Sequence, residues 1–130
     1  MIVVDASAVI ETLLQSQAAP AIERILFREG ETLHAPHLLD VEVAQVIRRY
    51  EASGDIDAAR GRATMADLSD FPVQRYPHDE LLPRVWDLRK NVTAYDAVYV
   101  ALAEALDATL VTRDRRLAKA IGAYVRVEVV

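Results

Sequence analysis

The sequence predicts a three-layer α/β/α sandwich on a mostly parallel central sheet, forming one domain over residues 1–130. Three observations lead there. Short β-branched runs alternate with helical patterns along the whole chain, as in strands joined by helical crossovers. The clearest strand candidates are apolar throughout, as strands covered on both faces are. One late segment, Ala94 to about Leu106, is apolar nearly all round, which suits a helix in the middle of a domain.

Ile2–Val4 is a β-branched run ending in an acid and reads as a buried strand. Ser7 can cap a short helix reaching about Leu14. Pro20 sits where a first helical turn tolerates a missing N–H, opening an amphipathic helix closed by Gly30. Thr32–Ala35 follows as a second strand, stopped by Pro36. From about Leu38 to Ala52 the apolar positions Leu39, Val43, Val46, Ile47 and Tyr50 keep helical spacing, and Gly54 is the stop. Asp57–Leu68 reads as a further helix despite the cost of Gly61 inside it. Pro72–Tyr76 is a third strand and Glu80–Lys90 a helix. Thr93 caps the apolar helix, with Asp96 at its third position, close to a capping box. Thr109–Thr112 is a strand, Arg115–Ile121 a short helix and Tyr124–Val129 the last strand.

Composition narrows the chemistry. With 52% hydrophobic and 27% charged residues the chain has the make-up of a folded protein, not a disordered one. There are no cysteines, which excludes zinc–thiolate sites and thiol catalysis and fits a reducing compartment. The opening Met1–Asp5 lacks the basic region and long apolar stretch of a leader, and no apolar run approaches a membrane span. The expectation is a cytoplasmic chain with no membrane partner. A net charge of −5 opposes nucleic-acid binding unless the acids are concentrated at one place. There, one or two divalent cations would cancel about two to four charges. Of the 15 basic residues 13 are arginine, the side chain suited to forked phosphate contacts.

The acids do fall at one kind of place. In open α/β sheets, ligands bind beyond the carboxyl ends of the strands, where helices also begin. Asp5 ends the first strand and Asp114 follows the strand Thr109–Thr112. Glu42 lies in the first turns of one helix and Asp96 in the first turn of another. Each has an ordinary alternative: Asp5 and Asp114 as helix caps, Glu42 and Asp96 as partners of the helix dipole. Asp96 resists it most. Its neighbours Ala94, Tyr95, Ala97 and Val98 suggest burial, and an unpaired buried carboxylate needs a cation, a donor cluster or a proton. Oxygen-rich, sulfur-free ligation points to Mg2+ or Mn2+.

The stretches Val3–Ala8, Ala35–Val43, Thr93–Ala97 and Leu110–Asp114 together resemble PIN-domain proteins, in particular the toxin half of VapBC toxin–antitoxin pairs. The resemblance covers essentially the whole chain. No single stretch is specific, but the four occur in order, each with an acid at an element boundary. It implies a metal-dependent endoribonuclease acting on structured RNA such as tRNA or rRNA, with Asp5, Glu42, Asp96 and Asp114 as metal-binding and catalytic residues. It lends Ser7 and Thr112 supporting roles, and it implies a VapB-type antitoxin and a homodimer. Asp40 and Asp107 fall outside the pattern and are expected to be structural.

The residues themselves suit hydrolysis. Without cysteine, and with no serine paired to a histidine by motif, a covalent nucleophile is not expected. Four carboxylates with a divalent cation suit in-line attack of water on a phosphodiester, which leaves 5′-phosphate and 3′-hydroxyl ends. His34 and His37 raise a metal-free route by general acid–base catalysis, but His34 falls in a strand and His37 just before a helix; His78 falls in a polar loop. Arg113, Arg115, Arg116 and Lys119 bracket Asp114 and are candidates for holding RNA phosphates, or else a solvated helix face. The rival from another class is a non-catalytic interaction module on the same fold, its acids binding a structural ion.

Overall fold

A computed structural model describes residues 1–130. Five strands form one sheet in the order β3-β2-β1-β4-β5: β1 (Ile2–Val4), β2 (Leu33–Pro36), β3 (Val73–Tyr76), β4 (Thr109–Thr112) and β5 (Val127–Val129). Every neighbouring pair is parallel, with Val3 opposite His34 on one side and Leu110 on the other. The expected sandwich is therefore present, and its sheet is wholly parallel.

Seven helices cover the sheet: α1 (Ala6–Leu14), α2 (Ala19–Leu26), α3 (Leu38–Ser53), α4 (Ala58–Asp70), α5 (Leu82–Asp87), α6 (Ala94–Leu106) and α7 (Arg115–Ile121). Strand pleating sends alternate residues to opposite faces, and two separate cores result. Ile2, Val4, Leu33, Ala35, Val73 and Val111 pack with Val9, Leu26, Leu39, Val43 and Leu68 from α1 to α4. Val3 and Leu110 face the other way, against α6 and against Val85, Leu117 and Ile121 from α5 and α7. The run Ala97–Ala103 on α6 is buried throughout, as its all-round apolar pattern requires. No helix is long and apolar enough to cross a membrane.

Most boundaries follow from local chemistry. Asp57, Thr93 and Asp114 cap α4, α6 and α7 through their side chains, and Gly54 ends α3 at φ 83°. Four expectations are corrected. Asp5, not Ser7, caps α1, its carboxylate accepting from the Ala8 amide. The helix containing Pro20 stops at Leu26, before Gly30, which bends the next turn at φ 83°. The segment expected as Glu80–Lys90 divides into a 3-10 turn, Asp79–Leu81, followed by the short α5. Pro83 explains the division: it fits the first turn of a helix starting at Leu82 but not the interior of one starting earlier. The last strand is three residues long because the Tyr124 and Val125 amides turn back to the Ile121 carbonyl.

This packing fixes the helix that carries Glu42. Leu39 is fully buried one turn before it. Leu39→Ala should cost about 2–5 kcal/mol of unfolding free energy, read from urea denaturation; a loss below about 1 kcal/mol would mean α3 is anchored elsewhere.

Candidate active site

The carboxyl ends of β1 and β4 lie side by side, and Asp5 closes the first of them. Its carboxylate is only 8% exposed. A charge so placed needs donors on both oxygens. Ser7 Oγ donates to Oδ1 at 2.6 Å and the Ala8 amide donates to the same oxygen at 3.3 Å. Thr112 Oγ1 donates to Oδ2 from the end of β4. The two hydroxyls are themselves held by the next loop: Ser7 Oγ accepts from the Arg113 amide at 2.9 Å, and Thr112 Oγ1 from the Asp114 amide at 3.0 Å. The expected supporting positions Ser7 and Thr112 thus link three parts of the chain around one acid. Burial pushes the Asp5 carboxyl above its ordinary value, and the hydrogen bonds pull against that rise.

Glu42 is half-buried on α3, and its Oε1 accepts from the Tyr99 hydroxyl at 2.6 Å. Its carboxyl is also raised, first by burial and then by the charges of Asp5 and Asp96. Asp96 is raised by burial and by the charge of Asp114. Glu42 therefore feels the charges of Asp5 and Asp96, and Asp96 that of Asp114. Like charges within reach of one another each favour a proton or a cation.

Two details depart from expectation. Asp96 is half-exposed, with Ala94 and Tyr95 both exposed, because the first turn of α6 projects beyond the sheet edge. The deeply buried acid is Asp5. Asp114 is exposed and turns Oδ1 back to the Arg116 and Leu117 amides at 2.9 and 3.0 Å, so it caps α7 as well as facing Asp96.

None of the six ion pairs involves Asp5, Glu42, Asp96 or Asp114. Arg113 is turned away, pairing with Glu11 at 2.9 Å. Arg115, Arg116 and Lys119 remain exposed on α7. An oxygen-only donor set with no ion pair to any member fits a hard divalent ion. The side chains do not form a closed chelate: no three His, Asp or Glu groups stand at metal-binding separation. Glu42 Oε1 is engaged by Tyr99, and Asp114 Oδ1 by the amides of its own helix.

The other candidates separate cleanly. His34 is buried between Thr32 and Tyr76, with Nε2 2.8 Å from the Thr32 hydroxyl and Nδ1 2.7 Å from the Tyr76 hydroxyl. Burial holds its pKa below the ordinary histidine value. It is a core group. His37 and His78 are exposed. Asp40 binds Arg75 through both oxygens, and Asp107 pairs with Arg126. Both acids are structural, as expected. The residue sequence reasoning missed is Tyr99. Its signal was available: it stands three residues after Asp96, hence on nearly the same helix face, and carries the only polar group in the run Ala97–Ala103.

Comparison with known proteins gives the family. A model of the PIN domain matches residues 2–122. The chain is 46% identical over 121 residues to Ribonuclease VapC1 of Mycobacterium tuberculosis, covering 92% of this chain and 90% of that protein. It is 40% identical over 130 residues to Ribonuclease VapC12 of the same organism, covering 100% and 99%. Among solved structures, PAE2754 from Pyrobaculum aerophilum is 30% identical with a TM-score of 0.65, covering 92% and 83%. A toxin–antitoxin complex from Klebsiella pneumoniae has a TM-score of 0.72 at 17% identity, covering 98% and 96%, a likeness of fold. The chain belongs to the PIN-domain family, and within it to the VapC type.

The raised carboxyls have a measurable consequence. A carboxyl whose pKa is higher in the folded state holds its proton more tightly there. Its contribution favours folding below its ordinary value, about pH 4, and is lost as pH climbs through the raised value. In metal-free buffer the stability of the native chain should therefore fall relative to Glu42→Gln as pH rises from about 4. Urea midpoints across that range would measure it; parallel curves would show that neither burial nor neighbouring charge raises the Glu42 carboxyl.

Proposed function

We propose that this chain is a metal-dependent endoribonuclease toxin of the VapC type, cutting structured RNA such as tRNA or rRNA and neutralised by a cognate VapB-type antitoxin. The observation that carries the reading is the set Asp5, Glu42, Asp96 and Asp114: four carboxylates at strand ends and helix starts along one edge of a parallel sheet, with no ion pair to any of them. Family membership, with relatives named as ribonucleases, supports RNA as the substrate. A structural neighbour that is a toxin–antitoxin complex supports the partner.

Asp5 and Asp96 are assigned to hold Mg2+ or Mn2+ directly, with Glu42 and Asp114 binding directly or through water. When bound, such an ion supplies a nucleophile at neutral pH and offsets charge on the phosphate oxygens. Ser7 and Thr112 pull the Asp5 carboxyl back toward its ordinary value and fix its direction, since each donates to a different oxygen. Arg115, Arg116 and Lys119 are assigned to the RNA backbone, because they are exposed on α7 directly after Asp114. Arg113 is a weaker candidate while it pairs with Glu11. The cytoplasmic location and the homodimer belong to the same reading.

Two experiments test it. Purified protein given total tRNA and rRNA should produce discrete fragments with 5′-phosphate ends, needing Mg2+ or Mn2+ and lost on chelation. Folded Asp96→Asn should lose at least about 100-fold in rate, as expected when a direct metal ligand in such a site is removed. Fragments ending in 2′,3′-cyclic phosphate would reject this chemistry, and an active Asp96→Asn would reject the site. An acid cluster that binds metal but cuts no RNA would favour the interaction module. For the basic residues, Arg115→Ala with Arg116→Ala should reduce the slope of log affinity against log salt by about one to two. An unchanged slope removes both from the RNA interface.

A further inference from the structure

Tyr99 is buried, 2% exposed, in the middle of α6, yet its hydroxyl is directed at the edge of the acid cluster. It reaches across from α6 to α3 and donates to Glu42 Oε1 at 2.6 Å. It engages one of the two glutamate oxygens and leaves Oε2 without a protein partner. Phenylalanine would fill the same space in a helix this apolar, so packing alone does not call for the hydroxyl. Asp96, one turn earlier on the same helix, completes the relation: α6 carries both an acid of the cluster and the group that orients a second acid.

We propose that Tyr99 is a positioning residue that holds Glu42 Oε1 and presents Oε2 alone to the metal site. This rests on the metal-dependent reading above and deepens it. A glutamate held in this way acts as a one-oxygen ligand, directly or through a water. One-oxygen ligation suits the compact octahedral demand of Mg2+ and Mn2+, whereas Ca2+ readily takes both oxygens of a carboxylate in a larger, looser shell. Tyr99 therefore bears on which ion the site accepts as well as on how tightly it binds. Its buried hydroxyl is also well suited to remain a donor: burial, then the hydrogen bond to Glu42, raise the phenol well above its ordinary value.

The test is calorimetric titration of the purified protein with Mn2+ and, separately, Ca2+, comparing native chain, Tyr99→Phe, Glu42→Gln and the double variant. Urea midpoints establish that each is folded, and Tyr99→Phe keeps the buried ring. Tyr99→Phe should weaken Mn2+ binding about 10-fold or more, the usual cost of removing a group that orients a metal ligand. It should shift the Mn2+-to-Ca2+ affinity ratio toward Ca2+. In the Glu42→Gln background the same change should have little effect, because its target carboxylate is gone. A weakening of equal size in both backgrounds would show that Tyr99 acts through packing and overturn the proposal. Unchanged Mn2+ affinity and unchanged ratio in a folded Tyr99→Phe would also overturn it while leaving the metal site standing. A native chain that binds neither ion would reject the metal reading itself, and this proposal with it.

Discussion

A carboxylate buried at the end of the central strand is the constraint around which the rest of the site is arranged. Asp5 lies where β1 gives way to α1, and its desolvation is offset by the Ala8 amide and by two hydroxyls that are themselves held by the loop before α7. Ser7 comes from the helix that Asp5 itself caps, and Thr112 from the neighbouring strand. Both hydroxyls accept backbone amides from the loop before α7, so the same bonds that satisfy Asp5 set the position of Asp114. The cap of α1, the junction of β1 with β4 and the loop carrying the fourth acid form one cooperative network.

Around that fixed point the other acids are less firmly held. Glu42 depends on a single hydroxyl from across the sheet edge, and Asp96 on its place in the first turn of α6. Asp114 divides its carboxylate between its own helix and the cluster. Asp5 thus accepts from more donors than any other acid of the set. Burial first, and like charge second, raise the Glu42 and Asp96 carboxyls, and a bound cation would offset the second of these. The acidic net charge of the chain is compatible with RNA in the same way, because part of it is gathered where the ion would sit.

The sheet order makes this convergence possible. With β1 at the centre and β4 beside it, Asp5 and Asp114 leave adjacent strands in the same direction. Both α3 and α6 begin at the same edge, α3 directly after β2 and α6 after the segment that follows β3. Parallel strands with crossover helices bring every such boundary to one side of the molecule. Residues separated by more than a hundred positions in the chain, such as Asp5 and Thr112, become neighbours without any special loop.

Much of this was legible in the residues alone. Strand and helix alternation, the apolar α6, the cap at Thr93 and the four boundary acids are local signals, governed by side-chain periodicity and by the orphan amides of helix ends. The divided helix at Pro83 and the shortened last strand turned on where particular amides and a proline ring found room, which a pattern of apolar residues does not encode. The acids' burial was misjudged for a related reason. Apolar neighbours in sequence surround Asp96, but they lie on other faces of a helix turn that projects past the sheet, while Asp5 is enclosed by residues as distant as Thr112. Tyr99 was legible as a polar group on a buried helix, yet its partner lies on α3, 57 positions away. Sequence by itself determined which residues could carry charge, cap helices and build two apolar faces, because those depend on chemistry and local period. Only the tertiary structure decided which carboxylate is desolvated, which hydroxyl meets which oxygen and how far apart the acids stand, because each depends on the register of parallel strands and the packing of helices across them.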